Sequence, residues 1–587
     1  MLTTGVDNIN GTAGNDTIIA DNTGTDPQLT AADQVNGGAG VDTVKIYQKA
    51  ATDLSTTVFG TMTNVEKVYI NSGALTDTKT LDVSGMSAVT GLTLDSPAAM
   101  GNGHAFTIKT TATQDVSLTK VNGTGTGGNN STVNLNGAST VTVNAVGTTA
   151  GTLTLDLTST GTALTLNTTG AASTVTLANT GAKLSTLTIA GDKELTLTES
   201  VDGLKTINAS AATAAVKVNA SGATIDKTFA FTGGSANDVL TVKAGALSTA
   251  GFVGSQIDMG AGTDTLVIND TAPAAADYTA INAIKGLEIV QAGANNTTFD
   301  MSKLTLNKVA FATAQGTATN LESTDTVLAY AAMGTSLTMG GAVGNSTANL
   351  VIGNESVKAA AGFTIASLVT TGLTNVNIKS TGDGTAANVI TAMTNNDNSN
   401  VVITGANDLT MALAAGTATG SKVDANAFTG KLAVTGSGFA DVIIGGSGAD
   451  TITGGAGADT ITGGAGADNF VLTNTTDGGI DWIKDFVAGT DKIFTTNNAT
   501  ATTKVLAIAD KGALSTTTYA TLNDAVATFA AAGVNATEAL KAYTFTYGSD
   551  TYLIVDNGTA GYLVGTDTLV KITGISGTLT VNDIFNA

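Results

Sequence analysis

Residues 445–471 read GGSGADTIT, GGAGADTIT and GGAGADNFV, three consecutive copies of the nine-residue pattern G-G-x-G-x-D-x-U-x, in which U is a large apolar residue. The glycines of each copy (Gly445, Gly446, Gly448; Gly454, Gly455, Gly457; Gly463, Gly464, Gly466) allow positive φ and a close approach of backbone to an ion. Asp450, Asp459 and Asp468 add a carboxylate at the sixth position. Ile452, Ile461 and Phe470 then supply one buried side chain to a short strand. Stacked turns of this kind gather carbonyl and carboxylate oxygens around one point. That donor set suits calcium, a hard cation that takes about 6–8 oxygen ligands. A single copy could be a glycine-rich turn with an exposed aspartate; three copies in phase argue for a metal-binding turn.

The signature recurs along the chain. Residues 37–45, GGAGVDTVK, match in full, with Gly37, Gly38, Gly40 and Asp42. Residues 7–19, DNINGTAGNDTII, form a looser pair offering Asp7 and Asp16. Residues 233–241, GGSANDVLT, keep Gly233 and Asp238 but have Ala236 at the third glycine. Residues 259–267, MGAGTDTLV, begin with Met259 and keep Gly262 and Asp264. Residues 436–444, GSGFADVII, place Asp441 just ahead of the intact run. The copies that lack a glycine are expected to make looser sites than the intact ones.

The run at 445–471 resembles the RTX calcium-binding repeat of proteins exported by Gram-negative type I secretion. Residues 477–493, DGGIDWIKDFVAGTDKI, resemble the segment that closes RTX solenoids in serralysin-type proteases. That resemblance implies further calcium ligands at Asp481, Asp485 and Asp491, with Trp482 and Phe486 capping the apolar end.

Composition limits the function classes. The chain has no Cys, which excludes disulfides and zinc–thiolate sites, so metal is the staple left to an exported protein. Lys and Arg number 25 against 47 Asp and Glu, a net charge of −22, which repels nucleic acid and anionic membrane surfaces. Charged residues are only 12% and hydrophobic ones 42%, so this is no acidic disordered tail. No apolar run is long enough to span a membrane. The opening MLTTGVDNING has neither a basic segment nor an apolar segment of a signal peptide and starts almost inside a calcium turn, which suggests an excised or processed form lacking an N-terminal domain.

From about residue 47 to 430 the chain is rich in Thr, Ala, Gly, Val and Asn, with strict alternation in TVTVNAVG (140–147), TLTLDLTST (152–160) and KELTLTES (193–200). These β-branched residues suit pleated, half-buried surfaces. A looser unit recurs in NVEKVYINS (64–72), VTGLTLDS (89–96), LSTLTIAG (184–191), LKTINAS (204–210), IKGLEIVQAG (284–293) and LTNVNIKS (373–380), as expected of stacked solenoid rungs. Irregular spacing leaves a β-sandwich open for some segments. One helix is expected at LNDAVATFAAAG (522–533), with Leu522, Val526 and Phe529 on one face, followed by strands within residues 543–575.

Taken together, the chain resembles the RTX-type bacterial surface-layer proteins, the Caulobacter and Campylobacter surface arrays among them. The resemblance is specific in the calcium runs and the C-terminal unit and compositional in the middle. It implies an all-β fold: a β-solenoid with RTX calcium-binding β-roll segments and a small C-terminal β unit with one short helix. It also implies a structural, non-enzymatic role with Ca2+ as the only cofactor. Its expected partners are further copies of the chain in a lattice, lipopolysaccharide through the missing N-terminal domain, and the type I secretion machinery, which reads the terminal LTVNDIFNA (579–587); no nucleic acid is expected. An RTX adhesin or biofilm matrix protein is the alternative. The expected divisions are N-terminal calcium turns (1–46), a Thr-rich solenoid (47–230), central calcium turns (231–270), a second solenoid (271–430), the C-terminal β-roll and cap (431–494) and the β unit carrying the export signal (495–587).

Two other patterns carry no chemistry in this sequence. Gly123, Gly125 and Gly128 spell G-x-G-x-x-G, but a strand-and-turn sequence follows where a dinucleotide site needs a helix. His104 is the only histidine, which leaves no zinc-protease motif and no Ser-His-Asp triad, and it is read as a solvated loop residue.

Overall fold

The computed structural model describes residues 1–49, 62–73, 79–96, 100, 105–122, 131–147, 153–157, 161–178, 184–199, 204–222, 227–249, 252–270, 273–295, 297–353, 362–394, 399–414, 419–472, 479–495, 505, 507–531, 541–555 and 567–585. His104 and the glycines at 123, 125 and 128 lie outside these residues. The chain divides into two units, residues 1–290 and 291–587.

In the first unit the alternating Thr/Val/Leu segments become strands that stack one turn above another. One sheet contains eleven strands, from Thr17–Asn22 through Thr43–Gln48, Lys67–Ser72 and Gly91–Asp95 to Ile257–Asp258. All of its pairings are parallel. The segments between them, among them Ser131–Asn136, Leu153–Leu157, Ser173–Ala178, Leu195–Glu199 and Val216–Asn219, form a second parallel sheet. The chain thus visits the two sheets alternately, and each full turn adds one strand to each. This is a parallel β-solenoid, and parallel register throughout rules out the sandwich for these segments.

Alternation fixes which residues form the core, because successive side chains point to opposite faces. In Thr43–Gln48 and Lys67–Ser72 every second residue is buried. In-register stacking aligns Ile18, Val44, Val68, Leu92, Val116, Val141, Leu166 and Ile189 in one column. All eight are buried, each by about 1.5–3 kcal/mol of apolar transfer. Thr132, Thr154, Thr176 and Thr198 stack outside the core in the same way. A one-residue slip in either sheet would turn its aliphatic column outward and bring its outer threonines into the core, so the register is strongly specified.

Two helical segments here escape the sequence reading. Ala275–Ala283 is a nine-residue α-helix with Tyr278 and Ile281 buried. Asp277 starts it by accepting the Ala274 N–H (2.7 Å), as an N-terminal capping carboxylate does. Ala244–Leu247 is a single further turn.

The second unit repeats the design. Thr297–Asp300, Gln315–Leu321 and Ser336–Gly341 open one parallel sheet that reaches Lys492–Phe494 and Ile584–Phe585. Lys308–Phe311 and Thr326–Ala329 open the other, which reaches Asp481–Ile483. The terminal β unit then continues this second sheet. Thr568–Ile572 pairs in parallel with Asp481–Ile483, Val570 opposite Asp481. Asp550–Val555 pairs antiparallel with Thr568–Ile572 and with Lys541–Tyr547. The expected helix runs Leu522–Ala531 and is capped reciprocally by Thr521 and Asp524 (3.0 and 3.1 Å). Its Val526 packs with Tyr543, Phe545, Tyr552, Ile554 and Leu569, and Leu522 packs against that cluster half-buried. The side chain of Phe529, and Gly533, lie outside the described residues.

Trp482 does not cap the core. It takes the outward position of its strand between buried Asp481 and Ile483. Its indole N–H donates to Thr573 Oγ1 (2.7 Å), and Lys484 and Lys571 sit 4.5 and 4.1 Å from its ring centre. Phe486 does fill the interior, fully buried 6.0 Å from Phe470.

Candidate metal centres

Sheet register sets the site geometry before any metal is considered. Each aspartate of the nine-residue pattern immediately precedes its strand, and the strands stack with Ile443 opposite Ile461 and Ile452 opposite Phe470. Aspartates of successive turns therefore lie one above another. The backbone N–H of each donates to the carboxylate one turn later: Asp441 to Asp459 (2.7 Å), Asp459 to Asp481 (3.0 Å), Asp450 to Asp468 (2.9 Å) and Asp468 to Asp491 (3.1 Å). The same ladder stands twice in the first unit. Asp16 donates to Asp42 and Asp42 to Glu66 Oε2 (2.7 Å each). Asp238 donates to Asp264 and Asp264 to Glu288 Oε2 (2.7 Å each).

The loops of these ladders take two states. In the first loop of each, the aspartate Oδ2 closes on an amide four residues back, from Thr12, Gly234, Ser437 or Gly446. None of these loops has a residue at positive φ. In the second loop of each, the second and fourth positions are glycines with φ between +91° and +141°: Gly38 and Gly40, Gly260 and Gly262, Gly455 and Gly457, Gly464 and Gly466. That backbone turns the loop amide elsewhere. Gly38 donates to Asn36 and Gly260 to Asp258 (3.2 Å each), and Gly464 donates to Asp485 (2.8 Å). The open loop requires glycine; the closed loop tolerates Thr12, Ala236, Ser437 and Phe439. Met259 stands at a first position of ordinary φ, and both of its loop's left-handed glycines are kept. That turn has the open geometry of the loops at 454–459 and 463–468.

The stacked loops present oxygen at short range. A Cβ at Gly464 would collide with the Gly446 carbonyl, one at Gly466 with the Gly448 carbonyl, and one at Gly445 would lie 2.7 Å from Asp450 Oδ2. Among the described residues no three acidic side chains converge on one point, so a cation at these loops would draw on one or two carboxylates together with backbone carbonyls. The carboxylates are poorly solvated. Burial pushes Asp468 up to about 7, helped by the charges of Asp450, Asp491 and Asp485. It pushes Asp264 up to about 7, helped by Asp238 and Glu288. Burial also raises Asp238, Asp441, Asp450 and Asp491. Carboxylates held at such cost call for a cation, and an all-oxygen donor set of carbonyls and carboxylates fits a hard one.

The family profile of the RTX calcium-binding nonapeptide repeat matches residues 3–22 and 435–470, in 4 copies. These segments are RTX calcium-binding repeats. Calcium is accordingly the ion that RTX loops of this kind bind, and the stacked RTX turns form β-rolls within the solenoid. No curated protein matches the chain.

Of the residues expected from sequence, Asp16 and Asp42, Asp238 and Asp264, and Asp441, Asp450, Asp459, Asp468, Asp481 and Asp491 fall into these ladders. Asp7 stands in a separate pair, donating its N–H to Asp33 (2.8 Å) while its carboxylate closes on Thr3. Asp485 stands beside the RTX loops and accepts the N–H groups of Gly463 and Gly464 (2.8 Å each). Sequence reading missed Asp33, Glu66 and Glu288. A signal existed for the two glutamates: Asn64-Val65-Glu66 and Gly286-Leu287-Glu288 both put an apolar residue and a glutamate directly before a strand.

Proposed function

We propose that this chain is a secreted structural protein whose calcium-ordered solenoid associates laterally into a two-dimensional layer on the surface of a Gram-negative cell. The observation that carries this reading is the placement of the ladders. They recur at Asp16–Asp42, Asp238–Asp264 and Asp441–Asp491 within stacks of otherwise similar rungs. An enzyme that uses RTX turns as an accessory needs one such cluster beside a catalytic domain. Turns present in both units instead let calcium stiffen the rungs of each. RTX repeats are typical of proteins exported by type I secretion, and the reading includes that route and assigns the chain no catalytic role.

At −22 and neutral pH, molecules without divalent cations repel one another. Calcium orders the loops and lowers that charge. This chain should remain monomeric in chelator and form ordered planar sheets at millimolar-range calcium, where extracellular calcium modules bind. Light scattering and negative-stain images across a calcium titration test this. Monomers persisting at saturating calcium, with the fold intact by circular dichroism, would replace the layer by an adhesin.

A further inference from the structure

The two ladders of the first unit end differently from those of the second. Where the β-roll continues to Asp481 and Asp491, these ladders end on a glutamate carried by a shortened rung. Asp42 lies five residues after the loop's first position, Gly37, and Asp264 five after Met259. On the following rung, Gly37 N–H donates to Thr63 O and Met259 N–H to Lys285 O, which places Asn64 and Gly286 at the corresponding first positions. Glu66 and Glu288 follow these by only two residues. The loop has lost three residues, and the longer glutamate side chain still reaches the place an aspartate would occupy. In both cases its Oε2 accepts the N–H of the preceding aspartate at 2.7 Å. The shortened rung is tied below as well: Lys67 N–H donates to Asp42 O (2.9 Å) and Ile289 N–H to Asp264 O (3.0 Å).

An independent observation points to a ligand at both places. Asp42 and Asp264 are 0% exposed. In each, Oδ1 accepts an N–H from the rung before, while Oδ2 is buried with no hydrogen-bond partner. The loop amides that would close on these atoms, from Gly38 and Gly260, are turned to Asn36 and Asp258. A buried carboxylate oxygen left bare is a severe penalty unless a cation faces it. Carbonyl oxygens stand nearby. The space that Gly37 leaves open holds the Asn64 carbonyl oxygen, with Asp42 Oδ2 2.6 Å from the position of a Cβ, and a Cβ at Gly286 would lie 2.6 Å from the Gly260 carbonyl oxygen.

We infer that the Asp42–Glu66 and Asp264–Glu288 pairs each hold a divalent cation of the calcium type between an open loop and a shortened rung, with the glutamate as the closing ligand. Both places lie outside the segments matched by the repeat profile. The inference rests on calcium binding by the repeats and is independent of the surface-layer reading. It gives the first unit two cation sites whose closing ligand, Glu66 or Glu288, the nine-residue pattern does not mark.

Hydrogen–deuterium exchange on the full chain, with calcium chloride as probe against chelator, reads these sites directly. Peptides covering 37–67 and 259–289 should exchange at least tenfold more slowly in calcium. Glu66→Gln and Glu288→Gln keep an acceptor for the aspartate N–H and remove the charge. Each should abolish protection in its own segment and lower the bound calcium in equilibrium dialysis by one ion. Glu194→Gln, which breaks only the exposed ion pair to Lys217, should change neither. No calcium protection of the two segments in the unmodified protein, alongside protection of 445–491, would overturn the inference while leaving the RTX assignment standing. Protection and calcium count both unchanged in the double variant would equally overturn it. Failure to form sheets, with these protections present, would count only against the surface layer.

Discussion

In excess chelator the protein should be more stable at pH 5 than at pH 8, and saturating calcium should reverse that order. Burial lifts the Asp468 and Asp264 carboxyls from 3.8 in an unperturbed chain to about 7, and raises Asp238, Asp441, Asp450 and Asp491 as well. A carboxyl whose pKa is higher folded than unfolded binds more protons in the folded state between those two values. Its stability contribution is whole below about pH 4 and is lost as pH rises through about 7. A shift of this size corresponds to about 4 kcal/mol for each of Asp468 and Asp264. Calcium takes the place of the proton: at a thousand times its dissociation constant each site adds about 4 kcal/mol at pH 8, and acid then competes with the ion. Thermal unfolding followed by circular dichroism at both pH values, with and without calcium, checks the crossing. Chelator-treated protein that gains stability from pH 5 to pH 8 would refute the account. Asp468→Asn with Asp264→Asn should flatten the chelator slope, which separates these carboxyls from the general repulsion of a −22 chain.

The largest single-residue effect is expected at the open loops. Gly466 has φ +128°, and a Cβ there would run into the Gly448 carbonyl oxygen of the rung below. Gly466→Ala combines left-handed backbone strain with a clash against main chain, and should destabilise the roll by about 3 kcal/mol or more. Gly14→Ala is the matched control in a closed loop. Its φ is not positive, its Cβ would meet nothing nearer than Thr12 Oγ1 at 3.7 Å, and the change should stay within about 1 kcal/mol. Urea unfolding in calcium, followed by circular dichroism, compares the two variants, and Trp482, the only tryptophan, which pairs with Thr460, reports on the roll that carries Gly466. Equal midpoints for the two variants would remove the distinction between open and closed loops.

Much of the architecture is legible in the residues. Thr/Val alternation at 140–144 and Leu/Thr alternation at 195–199 gave strands because they have the period of a pleated sheet. The nine-residue phase at 445–471 foretold a stacked aspartate column. The loop state was hidden, because GGSGAD at 445–450 closes and GGAGAD at 454–459 opens with the same glycines. Rung position decides between them, and rung position is a long-range property. Glu66 and Glu288 were hidden because shortened loops break the spacing that made the aspartates visible. Trp482 was misplaced because the resemblance to a solenoid-closing segment implied a cap there, whereas strand parity sends it outward between two lysines. The Ala275–Ala283 helix follows a Pro-Ala-Ala run whose capping aspartate is a weak signal amid so much alanine.

The in-register columns of the first unit have a consequence for how such a chain can change over generations. Val116 meets Val141, which meets Leu166, each contact repeating the one before. Loss of one complete circuit carrying Val141 would set Val116 opposite Leu166 in the same phase, and gain of one would repeat the same contact. Length is therefore a nearly free variable, adjustable in steps of about 4.8 Å. Fractional circuits are forbidden, since they would turn the aliphatic columns outward. A lineage can retune the length of this first sheet by whole-circuit gain or loss without redesigning its terminal strands.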